Sequence, residues 1–331
     1  MPQTAAAPLR RPAHDLKVVA LCGGVGGAKL ALGLDRLLAP GSLSVVVNTG
    51  DDFRHMGLHV SPDVDTVLYT LAGLNNPETG WGRKGETWRF METVADQGGE
   101  TWFRLGDKDL ELHTERTRRL DAGEPLSAVV DSLRRGFGIA SVVLPMSDDP
   151  VSTVVETADG PLAFQHYFVR EQCRPAVTGF RFEGAAAARP LPAAVEALRD
   201  PDLGAVVVCP SNPFVSVDPI LSVPGIRAAL IDCAAPVIAV SPIVGGRAIK
   251  GPAAKMMAEL GLAATPAAVA AHYAAFVDGF VLDATDAEQR HAIALPTVAV
   301  PSVMRTLDDR IALARAVLSF ADGLHVQRLA S

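Results

Sequence analysis

Four aspartates, Asp51, Asp52, Asp63 and Asp65, fall within residues 44–69 of the chain. They follow an apolar run, Val45-Val46-Val47, of the composition that fills a strand buried on both faces. Asn48-Thr49-Gly50 then reads as a turn. Carboxylates grouped beside the C-terminal end of a strand occupy the place where open α/β sheets bind ligands. Like charges held this close call for a cation or a proton between them. Oxygen ligands of this kind suit a hard metal ion together with phosphate. The competing reading is structural, with Asp63 or Asp65 capping a helix that starts at Thr66.

Two further groups have types and spacing suited to an anionic ligand. Gly23, Gly24, Gly26, Gly27 and Lys29 follow the apolar segment Lys17–Cys22 and precede helical sequence to about Leu38. Strand, glycine loop, helix is the layout that offers backbone N–H groups and a positive helix end to phosphate. It is neither a Walker motif nor a full GxGxxG, and a tight turn before a packed helix reads the same way. Arg104 stands beside the Gly106-Asp107 turn, where a guanidinium meets a phosphate or a ring. Ser211, Asn212 and Ser241 follow buried-type strands, as crevice contacts or as plain caps.

These residues need a scaffold, and the pattern supplies one. Apolar strands at Lys17–Cys22, Ala140–Leu144, Ala205–Cys209, Val237–Val240, Phe280–Leu282 and Thr297–Val300 alternate with helical sequence, predicting an α/β, mostly parallel sheet. Asp159-Gly160 turns a β-hairpin that would make this sheet mixed. Residues 75–137 read as a helical insertion carrying Trp81, Trp88 and Trp102, able to cover a planar ligand. Residues 1–14 read as a disordered tail and 15–331 as one domain.

The chain has 331 residues, 49% hydrophobic and 20% charged, with net charge −7. That balance argues against a nucleic-acid binder, which would show a basic stripe. No apolar run reaches the length of a membrane span. Cys22, Cys173, Cys209 and Cys233 have no CxxC spacing, and buried thiols point to a reducing cytoplasm.

The motifs together resemble a family. GGVGGAK, NTGDD, PDVDT (Pro62–Thr66), LGDKDL, MSDDP (Met146–Pro150), PSNP (Pro210–Pro213) and VSPIVGG stand in the order found in the 2-phospho-L-lactate transferase family of deazaflavin coenzyme F(420) biosynthesis. The resemblance implies a Mg²⁺-dependent Rossmann-like enzyme, commonly a homodimer. It would transfer a three-carbon phosphoryl group, phospholactyl, phosphoenolpyruvyl or phosphoglyceryl, from a guanosine-diphosphate-linked donor to the deazaflavin Fo, releasing GMP. It implies metal ligation by Asp51 and Asp65, with Asp52 or Asp63 as base candidates. Asp65 would contact Fo, Arg104 would assist binding, and the glycine loop, Ser211 and Asn212 would hold the nucleotide. Asp65→Asn is then expected to slow the reaction and leave the melting temperature unchanged.

Two rivals come from other classes. A nicotinamide-dependent oxidoreductase would explain the glycine loop and leave Asp63 and Asp65 without a role. The other is a non-enzymatic nucleotide-binding regulator of the same fold.

Overall fold

The computed structural model describes residues 12–330, with side chains through residue 326. The expected tail lies outside the described residues up to residue 11, and Ala13–Asp15 forms a 3-10 turn into the first strand. In chain order follow β1 (Lys17–Cys22), α1 (Gly24–Asp35), β2 (Leu43–Val47), β3 (Phe53–His55), β4 (Leu58–Val60) and α2 (Pro62–Leu71). Next come α3 (Arg89–Asp96), α4 (Asp107–Asp121), α5 (Leu126–Gly136), β5 (Val142–Pro145), β6 (Ser152–Thr157), β7 (Gly160–Ala163) and β8 (Val177–Glu183). The second half supplies α6 (Pro192–Leu198), β9 (Leu203–Val208), α7 (Asp218–Ser222), α8 (Ile226–Ile231), β10 (Val237–Val240), β11 (Ile243–Val244) and β12 (Arg247–Ala248). It ends with α9 (Ala253–Glu259), α10 (Pro266–Tyr273), β13 (Gly279–Asp283), β14 (Thr297–Val300) and α11 (Leu307–Ala330).

Seven strands among the described residues form the main sheet in the order β14-β13-β10-β9-β1-β2-β5. Every neighbouring pair in it is parallel. The apolar runs therefore bury both faces, and alternate residues enter opposite cores. Val19 and Leu21 of β1 join one core with β9, α6, α8 and α10. Val18, Ala20 and Cys22 join the other with α1, α2, α5 and α11. The hairpin β6–β7 is present, but β6 pairs on its other side with β8 in a separate antiparallel sheet. The main sheet is thus not mixed.

Strand order reverses at β1: the chain goes outward through β2 and β5, then returns to β9 on the other side. A crevice opens outside the C-terminal ends of strands at such a switch point. The helical insertion differs from its expected extent. α5 packs Leu126 and Val130 into the sheet's core, so only α3, α4 and their loops leave the sheet. They share a small apolar core of Val60, Met91 and Leu105 with β4.

Candidate functional site at the switch point

A cavity of about 520 Å³ opens at this crevice. Its floor begins where β1 passes into α1. The expected glycine loop is helical: α1 starts at Gly24, and Gly24, Gly26 and Gly27 form its first turn. Glycines disfavour helix; Gly24 stands here because its φ is +63°, and Gly26 and Gly27 because of contact. A Cβ on Gly26 would lie 2.3 Å from the Pro210 carbonyl oxygen, and one on Gly27 would lie 2.6 Å from Ser211 Oγ. Gly26→Ala is therefore expected to force α1 off the turn after β9, lower the melting temperature by several degrees and weaken ligand binding, at a cost of about 1–3 kcal/mol. Gly136→Ala, where a Cβ meets nothing within 4 Å, should show no loss in the same thermal scan.

Ser211 ties the turn to the helix entry. Its Oγ donates to the Gly23 carbonyl at 2.8 Å and accepts from the Gly23 N–H at 3.2 Å. Asn212 Oδ1 accepts from the Phe214 N–H, and Ser241 Oγ is taken by the Ile243 backbone. All three line the cavity, yet these bonds are made to the chain itself. Gly23, Gly24, Gly26 and Lys29 also line it, and Gly27 packs behind. Lys29 Nζ donates to the Met304 carbonyl at 3.1 Å. Burial, then Arg310 and Lys250, lower its pKa from the ordinary lysine value.

Three of the four aspartates, Asp51, Asp63 and Asp65, line the cavity, and they divide. Asp63 sits in the first turn of α2 and accepts the Gly24 N–H of α1 at 2.7 Å. The Asn48 amide bridges two carboxylates, donating to Asp51 Oδ1 at 2.5 Å and to Asp63 Oδ2 at 2.9 Å. Burial raises the Asp63 pKa to about 6. It raises Asp51 well above the carboxylate range, with Asp63 and Asp52 adding repulsion. Asp52 does not line the cavity. Its Oδ2 accepts from Ser61 Oγ at 2.6 Å, and its Oδ1 is buried without a hydrogen-bond partner among the described residues.

Asp65 lies on a second cluster. Both of its oxygens accept from Arg116 of α4, one of them at 3.0 Å from Nη1. Arg116 has 0% exposure and Asp65 6%. His113, one helical turn before Arg116, places Nδ1 3.7 Å from Asp65 Oδ2. Asp109, His113 and Arg116 follow i, i+4, i+7 spacing on one face of α4, which is how a helix presents a stripe inward. The sequence reading missed all three, and that polar stripe was the available sign. Asp109 faces Tyr69, whose hydroxyl is buried and without a hydrogen bond of ordinary geometry.

Burial raises the Asp109 pKa to about 7, opposed by the Tyr69 hydroxyl and aided by Asp65 and Glu86. An acid whose folded pKa exceeds its unfolded value removes stability as pH climbs from the unfolded pKa, near 4, to the folded one. Above about 7 that loss is constant. Each unit of displacement is worth about 1.4 kcal/mol. Asp109→Asn is thus expected to melt higher than wild type at pH 8, by about 4 kcal/mol at most and about 2 once solvent screening of this partly buried side chain is allowed for. Thermal melts should show the gain shrinking towards zero near pH 4.

The cavity mouth is aromatic. Trp81, 52% exposed, and Phe168, 39% exposed, line it with Phe103 and Phe164. Of the three tryptophans only Trp81 faces the cavity. Trp88 lies 4.0 Å beneath the Arg104 guanidinium, and Trp102 packs edge-on against His55 and His166. Arg104 lines the cavity while stacked on that ring.

A family model described as 2-phospho-L-lactate transferase CofD matches residues 18–301. The chain belongs to the 2-phospho-L-lactate transferase family. It is 42% identical over 317 residues to a phosphoenolpyruvate transferase of Streptomyces griseus, covering 93% of this chain and 99% of that one. It is 39% identical over 311 residues to the 2-phospho-L-lactate transferase of Methanocaldococcus jannaschii, covering 93% and 99%. It is 37% identical over 327 residues to a phosphoenolpyruvate transferase of Mycolicibacterium smegmatis, covering 92% and 99%. A UPF0052-family crystal structure from Bacillus halodurans at 2.60 Å superposes with a TM-score of 0.62 at 16% identity, over 91% of this chain and 99% of that one, and shares the fold. Membership in the 2-phospho-L-lactate transferase family makes the protein a transferase enzyme of coenzyme F(420) biosynthesis, as the motif order implied. The oxidoreductase and regulator readings fall with it. Among the described residues no helix is long and apolar enough to cross a membrane.

Proposed function

We propose that this transferase moves a phosphoenolpyruvyl group from its guanosine-diphosphate-linked donor to the terminal hydroxyl of the deazaflavin Fo, releasing GMP. The observation that carries the reading is the cavity itself: a helix N-terminus and the Asp51–Asn48–Asp63 bridge at its floor, and an aromatic mouth above. The Streptomyces and Mycolicibacterium relatives supply the choice of three-carbon group, and the archaeal relative names the phospholactyl alternative.

In the reaction the hydroxyl oxygen bonds to the phosphorus bearing the three-carbon group. The bridging P–O bond to GMP breaks with its electron pair on the GMP phosphate oxygen, and the hydroxyl proton passes by way of Asp65, which accepts its hydrogen bond, to water. The backbone N–H groups of the first turn of α1 beyond Gly24, whose own N–H is held by Asp63, receive phosphate oxygens, with Lys29 behind them. Asp65, oriented by Arg116, accepts the hydrogen bond of the attacking hydroxyl and fixes its approach. Trp81 and Phe168 suit the planar ring system at the mouth.

A magnesium ion is tested by the donors present. Among the described residues no three His, Cys, Asp or Glu are arranged around one point. Two buried, mutually repelling carboxylates, Asp51 and Asp63, do converge on one amide. Mg²⁺ characteristically takes one or two carboxylates and completes its shell with phosphate and water, so the set fits. Asp51 and Asp63 would hold it, and it would neutralise charge on the diphosphate oxygens. The expected pairing of Asp51 with Asp65 does not suit this geometry, because the buried Arg116 cation already neutralises Asp65 and would repel a metal ion, whereas Asp63 is bonded only to neutral N–H groups. Nor does Asp52 suit a base, since it lies outside the cavity lining behind Ser61. A homodimer stays part of this proposal, as does a cytoplasmic setting.

Equilibrium titrations test the reading before any turnover. Fo and GDP should each bind, and GDP should bind more tightly with Mg²⁺ than with a chelator. A protein that binds GDP and ignores Fo would contradict the acceptor assignment.

A further inference from the structure

We propose that Arg116 is a positioning residue that fixes His113 as the tautomer carrying its proton on Nε2, so that His113 donates a hydrogen bond to a hydroxyl-bearing ligand seated beside Asp65. The inference deepens the transferase reading and rests on it for the identity of that ligand.

The argument begins with what a guanidinium offers. Its nitrogens carry only hydrogens toward their neighbours and never accept. Arg116 Nη1 stands 3.5 Å from His113 Nδ1 while it donates to Asp65 Oδ2 at 3.0 Å. The imidazole edge turned to it therefore presents a lone pair, which leaves the ring proton on Nε2. The other tautomer would aim an Nδ1–H at Asp65 Oδ2, but 3.7 Å is too long for that bond. It would also press a hydrogen against the guanidinium. Burial pushes the His113 pKa down to about 4, so the ring is neutral near pH 7 and has one proton to place.

Placement does the rest. Arg116 is fully buried and lies behind the cavity wall, whereas Asp65 and His113 both line the cavity. Nε2 has no hydrogen-bond partner among the described residues and is not among the sealed polar atoms. The wall thus carries side by side a carboxylate that only accepts and an N–H that only donates. That pair matches a hydroxyl group, or two neighbouring ones, since a hydroxyl has both a hydrogen to give and a lone pair to receive. A carboxylate ligand would be repelled by Asp65, and a bare hydrocarbon would leave both groups unmet.

Two measurements test this. The first is the histidine-selective ¹H–¹⁵N spectrum of the ligand-free enzyme, with His113 assigned by its absence in His113→Gln. The expected pattern is a neutral ring protonated on Nε2, and Arg116→Gln should shift it toward a mixture. A ring protonated on Nδ1 in the wild type would overturn the proposal. The second is Fo affinity by fluorescence titration. His113→Leu should weaken binding by on the order of tenfold or more. His113→Gln, whose amide N–H₂ can stand where Nε2–H was, should recover most of that loss. Equal loss in both variants would overturn the donor role. Failure of the wild type to bind Fo would sink the transferase reading, while the spectrum would still decide the tautomer.

Discussion

Asp65→Asn is expected to melt well below the wild type and to lose on the order of a hundredfold or more in transfer rate. The amide keeps the shape of the carboxylate but turns an N–H₂ toward the Arg116 guanidinium, which has 0% exposure. A buried charge left without its counter-charge costs about 3 kcal/mol or more. From the sequence alone Asp65 has no buried cation, and the melting temperature is expected to stay the same. The structure reverses that expectation, because the ion pair to Arg116 spans two separate helices, α2 and α4. Thermal melts alongside initial rates check it. An unchanged melting temperature would mean that Arg116 is solvated in this protein.

Asp51→Asn is expected to lose as much rate and to behave in the opposite way on heating. Among the described residues Asp51 has no cationic side chain bonded to it, and its neighbours Asp63 and Asp52 repel it. Removing its charge relieves that repulsion, so the metal-free variant should melt at or above the wild-type temperature at pH 8. The Asn48 amide loses a charged acceptor and keeps Asp63. A neutral amide is a poor Mg²⁺ ligand, so added Mg²⁺ and GDP should raise the wild-type melting temperature and leave the variant's nearly unmoved. A variant that gains as much as the wild type would remove Asp51 from the metal site.

The contrast between these two aspartates marks where the sequence stops being informative. That Asp51, Asp63 and Asp65 line one cavity was legible, because apolar Val45–Val47 has the composition of a buried strand and its C-terminal end faces the crevice. Their division of labour was not. Asp63 binds Gly24, 39 positions earlier, and Asp65 binds Arg116, 51 positions later. Neither partner is announced by local pattern. Arg116 stands among Glu115, Arg118 and Arg119, which reads as a solvated face, and only its register with Asp109 and His113 betrays an inward stripe.

Other misses have similar causes. The start of α1 reads as a loop, because four glycines in a row of seven residues oppose helix. Close neighbours require three of them nonetheless, Ser216 at Gly23, Pro210 at Gly26 and Ser211 at Gly27, and Gly24 holds a positive φ of 63°. β3 and β4 escape notice because each is three residues long. Their turn places Met56 at φ 49° beside Gly57 at φ 78°, and methionine is not a residue that signals such a turn. The hairpin at Asp159-Gly160 was legible from its turn, but its sheet was not, since pairing with β8 depends on a segment twenty residues away or more.

Mass spectrometry of the product formed from Fo is the most direct test of the account. The purified enzyme is given Fo with the phosphoenolpyruvyl, phospholactyl or phosphoglyceryl guanosine diphosphate donor, with Mg²⁺ or with excess chelator. The account predicts one dominant product, Fo plus a phosphoenolpyruvyl group, with GMP in equal amount and no product under chelation. No product from any donor, or the same yield under chelation, would contradict it.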